Sequence, residues 1–202
     1  MIRLLFVGDG ERDAATNPHL VSTLTGSSVD PTTIAWPRLN RAGRGYDRKL
    51  LFAIRQARDD GLGGVVATID RDRSPGRDRL RELEAARAKD RETATPLPAA
   101  LGAADPHAEA WLLDDPVAVR TVLRLPRDAQ IPNVRRIANP KAELTRLHAR
   151  SPRADETART ILAEIAQALD PRRLSHERDT GFAHFADDVR HEIGPLARPH
   201  RA

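Results

Sequence analysis

The chain has 202 residues, 33 Lys and Arg against 29 Asp and Glu, a formal net charge of +4 and no cysteine. That length suits one domain with an appended lobe, and the missing thiols exclude disulfides, thiolate metal sites and a cysteine nucleophile. Aromatics make up only 3 %, so aliphatic side chains fill the core and base stacking on aromatic rings is not the main binding device.

The first apolar run, Ile2 to Val7, reads as a buried strand closed by Gly8-Asp9-Gly10-Glu11. Asp13 to Leu24 has helical spacing, and Thr32-Trp36 reads as a short strand between Pro31 and Pro37. Arg38 to Gly45 is a basic loop. Tyr46 to Asp59 is an amphipathic helix with Leu50, Leu51, Ile54 and Ala57 on its apolar stripe and Arg48 and Lys49 on its basic face, ended by Gly61, Gly63 and Gly64.

Val65 to Ile69 is the second strong strand and runs straight into Asp70-Arg71-Asp72-Arg73. Ser74-Pro75 carries the signal of a helix start, Ser as cap and Pro as first residue. That helix runs to Lys89, and Pro96 to Leu101 follows as an edge or irregular strand. Asp105-Pro106 and Asp115-Pro116 repeat the cap signal, the first opening a helix through Leu113. Pro126 to Pro140 is a loop. Lys141 to Ala149, Asp155 to Leu169 and Phe182 to Ile193 are helices, and the tail after Pro195 is expected to be disordered.

Strands alternating with helices over the first ~100 residues, followed by helices alone, indicate an α/β fold with a mainly parallel sheet and a helical C-terminal part. The expected division is a core over 1–125, a helical extension over 126–195 packed on it, and a tail over 196–202. The N-terminus reads as a strand rather than a leader, and no apolar run reaches the ~18 residues of a membrane helix. A cytoplasmic protein without a membrane partner is expected.

Chemistry concentrates at the two strand ends. Asp70 and Asp72, spaced i, i+2 after a buried strand, can both turn into the crevice at the sheet's carboxyl edge. Their mutual repulsion would be relieved by a cation or a basic partner. Together with Asp9 and Glu11 after the first strand, they offer the carboxylate oxygens that Mg²⁺ or Mn²⁺ prefers. The plainer alternatives are a solvated turn for Asp70 and Asp72 and a helix cap for Asp9. The glycines of the first turn do not make a dinucleotide fingerprint, because Asp13 stands where the third glycine belongs.

Glu109, in Asp105-Pro106-His107-Ala108-Glu109-Ala110-Trp111-Leu112-Leu113, is a further candidate ligand, the alternative being a solvated helix residue. Lys141, after Asn139-Pro140 at a helix start, is placed to reach a phosphate or to remain solvated. No His-x-x-x-His pair points to zinc. The basic residues are nearly all Arg, whose fork-shaped guanidinium suits phosphate, so a nucleic-acid partner is compatible with the composition.

The three acidic segments together resemble the Toprim domain. That family has an acidic residue after its first strand in an E-G-x-x-D-like turn, matched by Asp9-Gly10-Glu11-Arg12-Asp13. It also has a D-x-D after a later strand, matched by Asp70-Arg71-Asp72. The Asp105 to Leu113 segment is similar to the N-P-x-x-E-x-W-L-L stretch of RloB-like proteins, relatives of the overcoming-lysogenization-defect (OLD-type) nucleases found in bacterial phage-defence settings. The resemblance covers roughly residues 1–125; beyond it, only Asn139-Pro140-Lys141 looks family-like.

The resemblance implies a Toprim-like, Rossmann-like fold and a Mg²⁺-dependent (or Mn²⁺-dependent) nuclease that cleaves phosphodiesters of nucleic acid. Asp70 and Asp72 would hold the metal, while Asp9, with Glu11 behind it, would complete the shell or act as general acid/base. Glu109 would serve a second metal or activate the nucleophile. Arg48, Lys49, Arg71, Arg73 and Lys141 would contact the backbone. A protein partner in a defence system and a homo-oligomer are compatible with it. The family turn opens with Glu where this chain has Asp9, an arm shorter by one bond of about 1.5 Å. Two alternatives follow: a phosphatase or phosphotransferase with Asp70 as nucleophile, and a non-catalytic scaffold that keeps the fold for a partner.

Overall fold

The structure is a computed structural model and describes residues 1–71 and 78–197. Asp72, Arg73 and the Ser74-Pro75 helix start lie outside the described residues. Four strands, β1 (Ile2–Gly8), β2 (Val29–Ala35), β3 (Gly64–Asp70) and β4 (Ala99–Ala104), form one all-parallel sheet in the order β2-β1-β3-β4. Parallel strands need crossovers, which here are α1 (Glu11–Thr25), α2 (Tyr46–Asp59) and α3 (Arg79–Arg91). The fold is thus the α/β, Rossmann-like architecture expected from the alternation of elements. Val29–Ala35 starts earlier than expected and contains Pro31, which an edge strand tolerates.

Period-two alternation assigns the two faces of the sheet. Leu5, Val7, Val65, Ala67, Ile69 and Leu101 face α2 and α3 and pack with Leu50, Ile54 and Leu83. Leu4, Phe6, Val66 and Ala100 face α1 and the later helices. Those helices are α4 (Glu109–Leu113), α5 (Pro116–Leu123), α6 (Pro140–Ala149), α7 (Ala158–Ala168) and α8 (Phe182–Asp188). A π-helical turn, Val189–Ile193, carries α8 into a short α9, Gly194–Ala197. Ile161, Ile165, Phe185 and Ile193 lie in one apolar cluster with β1 and β3, so the C-terminal helices share the core of the sheet.

The open edge of β4 is closed by α8. Asp188 Oδ2 accepts the Leu101 N–H at 2.7 Å and also pairs with Arg87 at 2.5 Å, satisfying a ladder donor that would otherwise invite another strand. Among the described residues no helix is long and apolar enough to cross a membrane.

Three local expectations are corrected. Asp105 does not cap a helix: the Asp105-Pro106 bond is cis, and α4 begins at Glu109. Residues 196 and 197, expected to belong to a disordered tail, are helical, and the rest of that tail lies outside the described residues. Helix α7 is capped by Thr157, whose side chain accepts from the Thr160 N–H, and it starts after the expected Asp155.

Candidate active site

The sheet order reverses between β1 and β3, since β1 leads outward to β2 on one side while β3 and β4 lie on the other. In open α/β sheets, ligands bind in the crevice outside the carboxyl ends at that switch point. Asp9 and Asp70 stand there. Asp9 Oδ2 accepts the Asp70 N–H at 2.8 Å, tying the ends of the two strands together. Asp9 is therefore not the cap of α1; that position belongs to Gly10.

Asp70 follows Val66 and Thr68 on the α1 side of β3, so its carboxyl turns toward α1 and α4. Its Oδ1 accepts the Ala108 N–H at 3.2 Å, and Arg79 donates to its main-chain oxygen at 3.3 Å. Asp13, at the third position of α1, folds back so that its Oδ2 accepts the N–H groups of Asp9 at 2.6 Å and Gly10 at 3.3 Å. This is the carboxylate half of a capping box. It fits only because residue 8 is glycine: a Cβ there would stand 2.5 Å from Asp13 Cβ.

Glu109, 5 % exposed at the start of α4, closes the group from the other side. Its Oε1 accepts from Arg12 at 2.7 Å, and Arg12 also reaches Thr145 on α6 at 3.4 Å. Burial pushes the Asp70 carboxyl up to about 8; the nearby charges of Asp13, Asp9 and Glu109 push the same way, against the Ala108 N–H. Burial and then the Asp9 charge raise Asp13 to about 6, and Glu109 adds to it. Four carboxyl groups therefore interact at one edge, Asp13 and Glu109 buried, Asp70 half-buried and Asp9 exposed, a concentration of like charge that is common where a site must bind something positive or move protons.

The structure brings Asp9, Asp70 and Glu109 together and adds Asp13 and Arg12, which the sequence reading places in the first turn without giving either a role in the site. Glu11 is exposed on the first turn of α1, beside the group rather than within it. Of the expected backbone contacts, Arg48, Arg71 and Lys141 are exposed, and Arg71 lies 3.8 Å from Asp105. Lys49 is corrected: it is only 8 % exposed, with its ammonium 5.4 Å from the Tyr46 ring centre, so it packs on α2 instead of offering a free contact.

Beside the acids a cavity of about 410 Å³ opens between the ends of β1 and β2 and the start of α1, with Arg38 and Ile34 on one wall and Asp13 and Asn17 on the other. That volume lies within the range of small-ligand sites, roughly 300–1,000 Å³. Asn17 is 1 % exposed; its Nδ2 donates to Thr68 Oγ1 at 2.8 Å while its Oδ1 has no partner among the described residues.

The donor chemistry suits a hard divalent cation, all of it carboxylate oxygen. The arrangement is less complete: among the described residues no group of three or more His, Asp or Glu side chains is set to hold an ion. Asp13 is spent on backbone donors and Glu109 on Arg12. Mg²⁺, however, is commonly held by one or two carboxylates with waters and substrate phosphate. Asp9 and Asp70 fit that pattern. The chain matches no family model, no curated protein and no solved structure.

Proposed function

We propose that this protein is a divalent-cation-dependent phosphodiesterase acting on nucleic acid, with its centre at the β1–β3 switch point. The observation that carries the reading is the convergence of Asp9, Asp13, Asp70 and Glu109 at the carboxyl edge, where the Asp70 carboxyl is pushed up to about 8. The Toprim-like spacing of these acids supports nucleic acid as the substrate class, and the RloB-like Glu109 segment supports a role in phage defence.

Asp9 and Asp70, with Asp72, would hold Mg²⁺ or Mn²⁺. When bound, the cation supplies charge neutralisation at a phosphoryl oxygen. Asp13 positions Asp9 by accepting its N–H. Arg12 orients Glu109, which on this reading would take the proton of an attacking water once substrate binding loosens that pair. Arg71 and Lys141 remain exposed for the backbone phosphates.

The scaffold reading is favoured by one observation, the absence of a ready three-residue cage among the described residues. Incubating supercoiled plasmid, linear duplex and single-stranded DNA and RNA with the protein and Mn²⁺ separates the two. Cleavage lost in Asp70→Asn supports the hydrolase; intact substrates throughout, with a partner still bound by Asp70→Asn, support the scaffold.

A further inference from the structure

A second charged feature lies outside the acidic centre. Helix α5 and the loop that follows it form a groove of about 520 Å³ lined by Arg120 on the helix and by Arg127 and Arg136 on the loop, with Asp128 as the one acid of its lining and Asn133 on its rim. Arg120 donates to the Ala129 carbonyl at 3.4 Å, which fixes one side of the groove. Arg127 and Arg136 are exposed, and neither has an ion pair among the described residues. Some arginines of this chain are neutralised by acids, as Arg58 is by Asp90, Arg87 by Asp188 and Arg173 by Asp115; among the described residues, those of the groove are not. Three guanidinium groups facing one acid therefore leave an excess of positive charge in a concave surface.

The groove is held in a fixed relation to the acidic centre. Helix α4 has Glu109 at one end. Just past its other end, Asp114 accepts the N–H groups of Ser175 and His176 at 3.1 and 2.8 Å. The His176 ring in turn meets Asn133 Nδ2 at 3.0 Å, on the rim of the groove. Five residues of helix span roughly 7 Å at 1.5 Å per residue, the first leg of a continuous chain of contacts that links the two features.

We infer that the Arg120–Arg127–Arg136 groove binds backbone phosphate of the nucleic acid on which the acidic centre acts. This rests on the phosphodiesterase reading for the identity of the polyanion. Guanidinium forks match phosphate oxygens bidentately and are only weakly hydrated, which makes them suited to repeated phosphate contact. The charge is mounted on an exposed loop rather than in an enclosed cavity, as a long polymer requires. The acidic centre repels phosphate without its cation, so a separate cationic groove supplies the attraction that brings the strand to it.

The test is fluorescence anisotropy of a labelled 20-nucleotide single strand and its duplex against KCl, for wild type and for Arg127→Ala/Arg136→Ala. Hydrolysis of bis(p-nitrophenyl) phosphate with Mn²⁺ is followed in parallel. Both arginines are exposed, and Arg120 with its loop hydrogen bond is left intact. The expected result is a salt slope lower by about 0.7–0.9 for each phosphate that is no longer neutralised, affinity at 0.1 M salt reduced at least tenfold, and unchanged hydrolysis of the small diester. Unchanged affinity and slope in the double variant overturn the inference while small-diester hydrolysis leaves the phosphodiesterase standing. Absence of nucleic-acid binding by wild type also overturns it. Binding that depends on the arginines without hydrolysis of any diester keeps the groove and removes the hydrolase. Equal displacement of the strand by an acidic peptide of matched charge overturns the assignment to phosphate.

Discussion

Asp9 and Asp70, 61 residues apart in sequence, are joined across the sheet's switch point by a 2.8 Å hydrogen bond from the Asp70 N–H to Asp9 Oδ2. The bond places two carboxyl groups from different strands at one edge, where Asp13 and Glu109 already crowd them. That crowding carries a cost in the folded state, which a divalent cation bound there would relieve.

The first consequence concerns pH. Asp70 and Asp13 are raised to about 8 and about 6 from an ordinary value of 3.8. The unfolded chain releases these protons at lower pH than the folded one, so the folded state binds more protons and loses stability as pH rises. Their contribution is complete below about pH 4 and fades through 6 and then 8. Thermal melts between pH 5 and 8.5 without divalent cation are expected to show a falling midpoint, restored by Mg²⁺ or Mn²⁺ at the upper end. A midpoint that is flat or rises over this range, and ignores the cation, would contradict the electrostatic picture.

Asp70→Asn separates function from stability. The amide keeps an oxygen for the Ala108 N–H but removes the charge. At pH 8 the variant is expected to be more stable than the cation-free wild type by about 1 kcal/mol, because active-site charge is commonly held against the interest of stability. Its cleavage activity should fall at least a hundredfold. Denaturant melts and a plasmid assay on the same preparations read both effects.

Gly8 tests the packing that seats Asp13. Gly8→Ala would bring a Cβ within 2.5 Å of Asp13 Cβ, whereas nothing lies within 4 Å of the corresponding position at Gly10. Overpacking of this kind costs about 1–3 kcal/mol. Urea denaturation should show that loss for Gly8→Ala and a clearly smaller change for Gly10→Ala.

The C-terminal half has its own anchor in Asp115. Its buried carboxylate accepts from the N–H groups of Val117, Ala118 and Asp170 and pairs with Arg173 at 2.7 Å. Asp115→Ala strips all four partners and is expected to destabilise the fold by about 3 kcal/mol or more, read as a lower urea midpoint. Arg173→Ala, which removes one partner, should cost less.

How far the sequence carries is visible at particular residues. Tyr46–Asp59 is read to the residue, because its apolar stripe and the glycines that follow are local signals. Asp115-Pro116 and Asn139-Pro140 open helices as their capping side chains dictate. Asp105-Pro106 carries the same signal and fails, because tertiary bonds claim that stretch: the Asp105 N–H goes to Thr180 O and the Ala108 N–H to Asp70 Oδ1. The meeting of the acids at the strand ends is legible because burial followed by charge is itself a local pattern. Asp13 and Arg12 are not, since their roles depend on a helix turning back over Gly8 and on a partner 97 residues away. A glycine at the strand's last position with an acid at the third position of the next helix is the signal that would find Asp13. The arginine groove has no periodic signature, its members being divided between the end of α5 and the irregular segment that follows.

Whether these carboxyls hold a divalent cation is decided by calorimetric titration of Mn²⁺ into wild type and into Asp70→Ala/Asp72→Ala at pH 7.5. The expected result is saturable binding by wild type with release of protons to the buffer, because Asp70 must ionise to take the ion, and no binding by the double variant. Absence of binding by wild type, or equal binding by both, would contradict it.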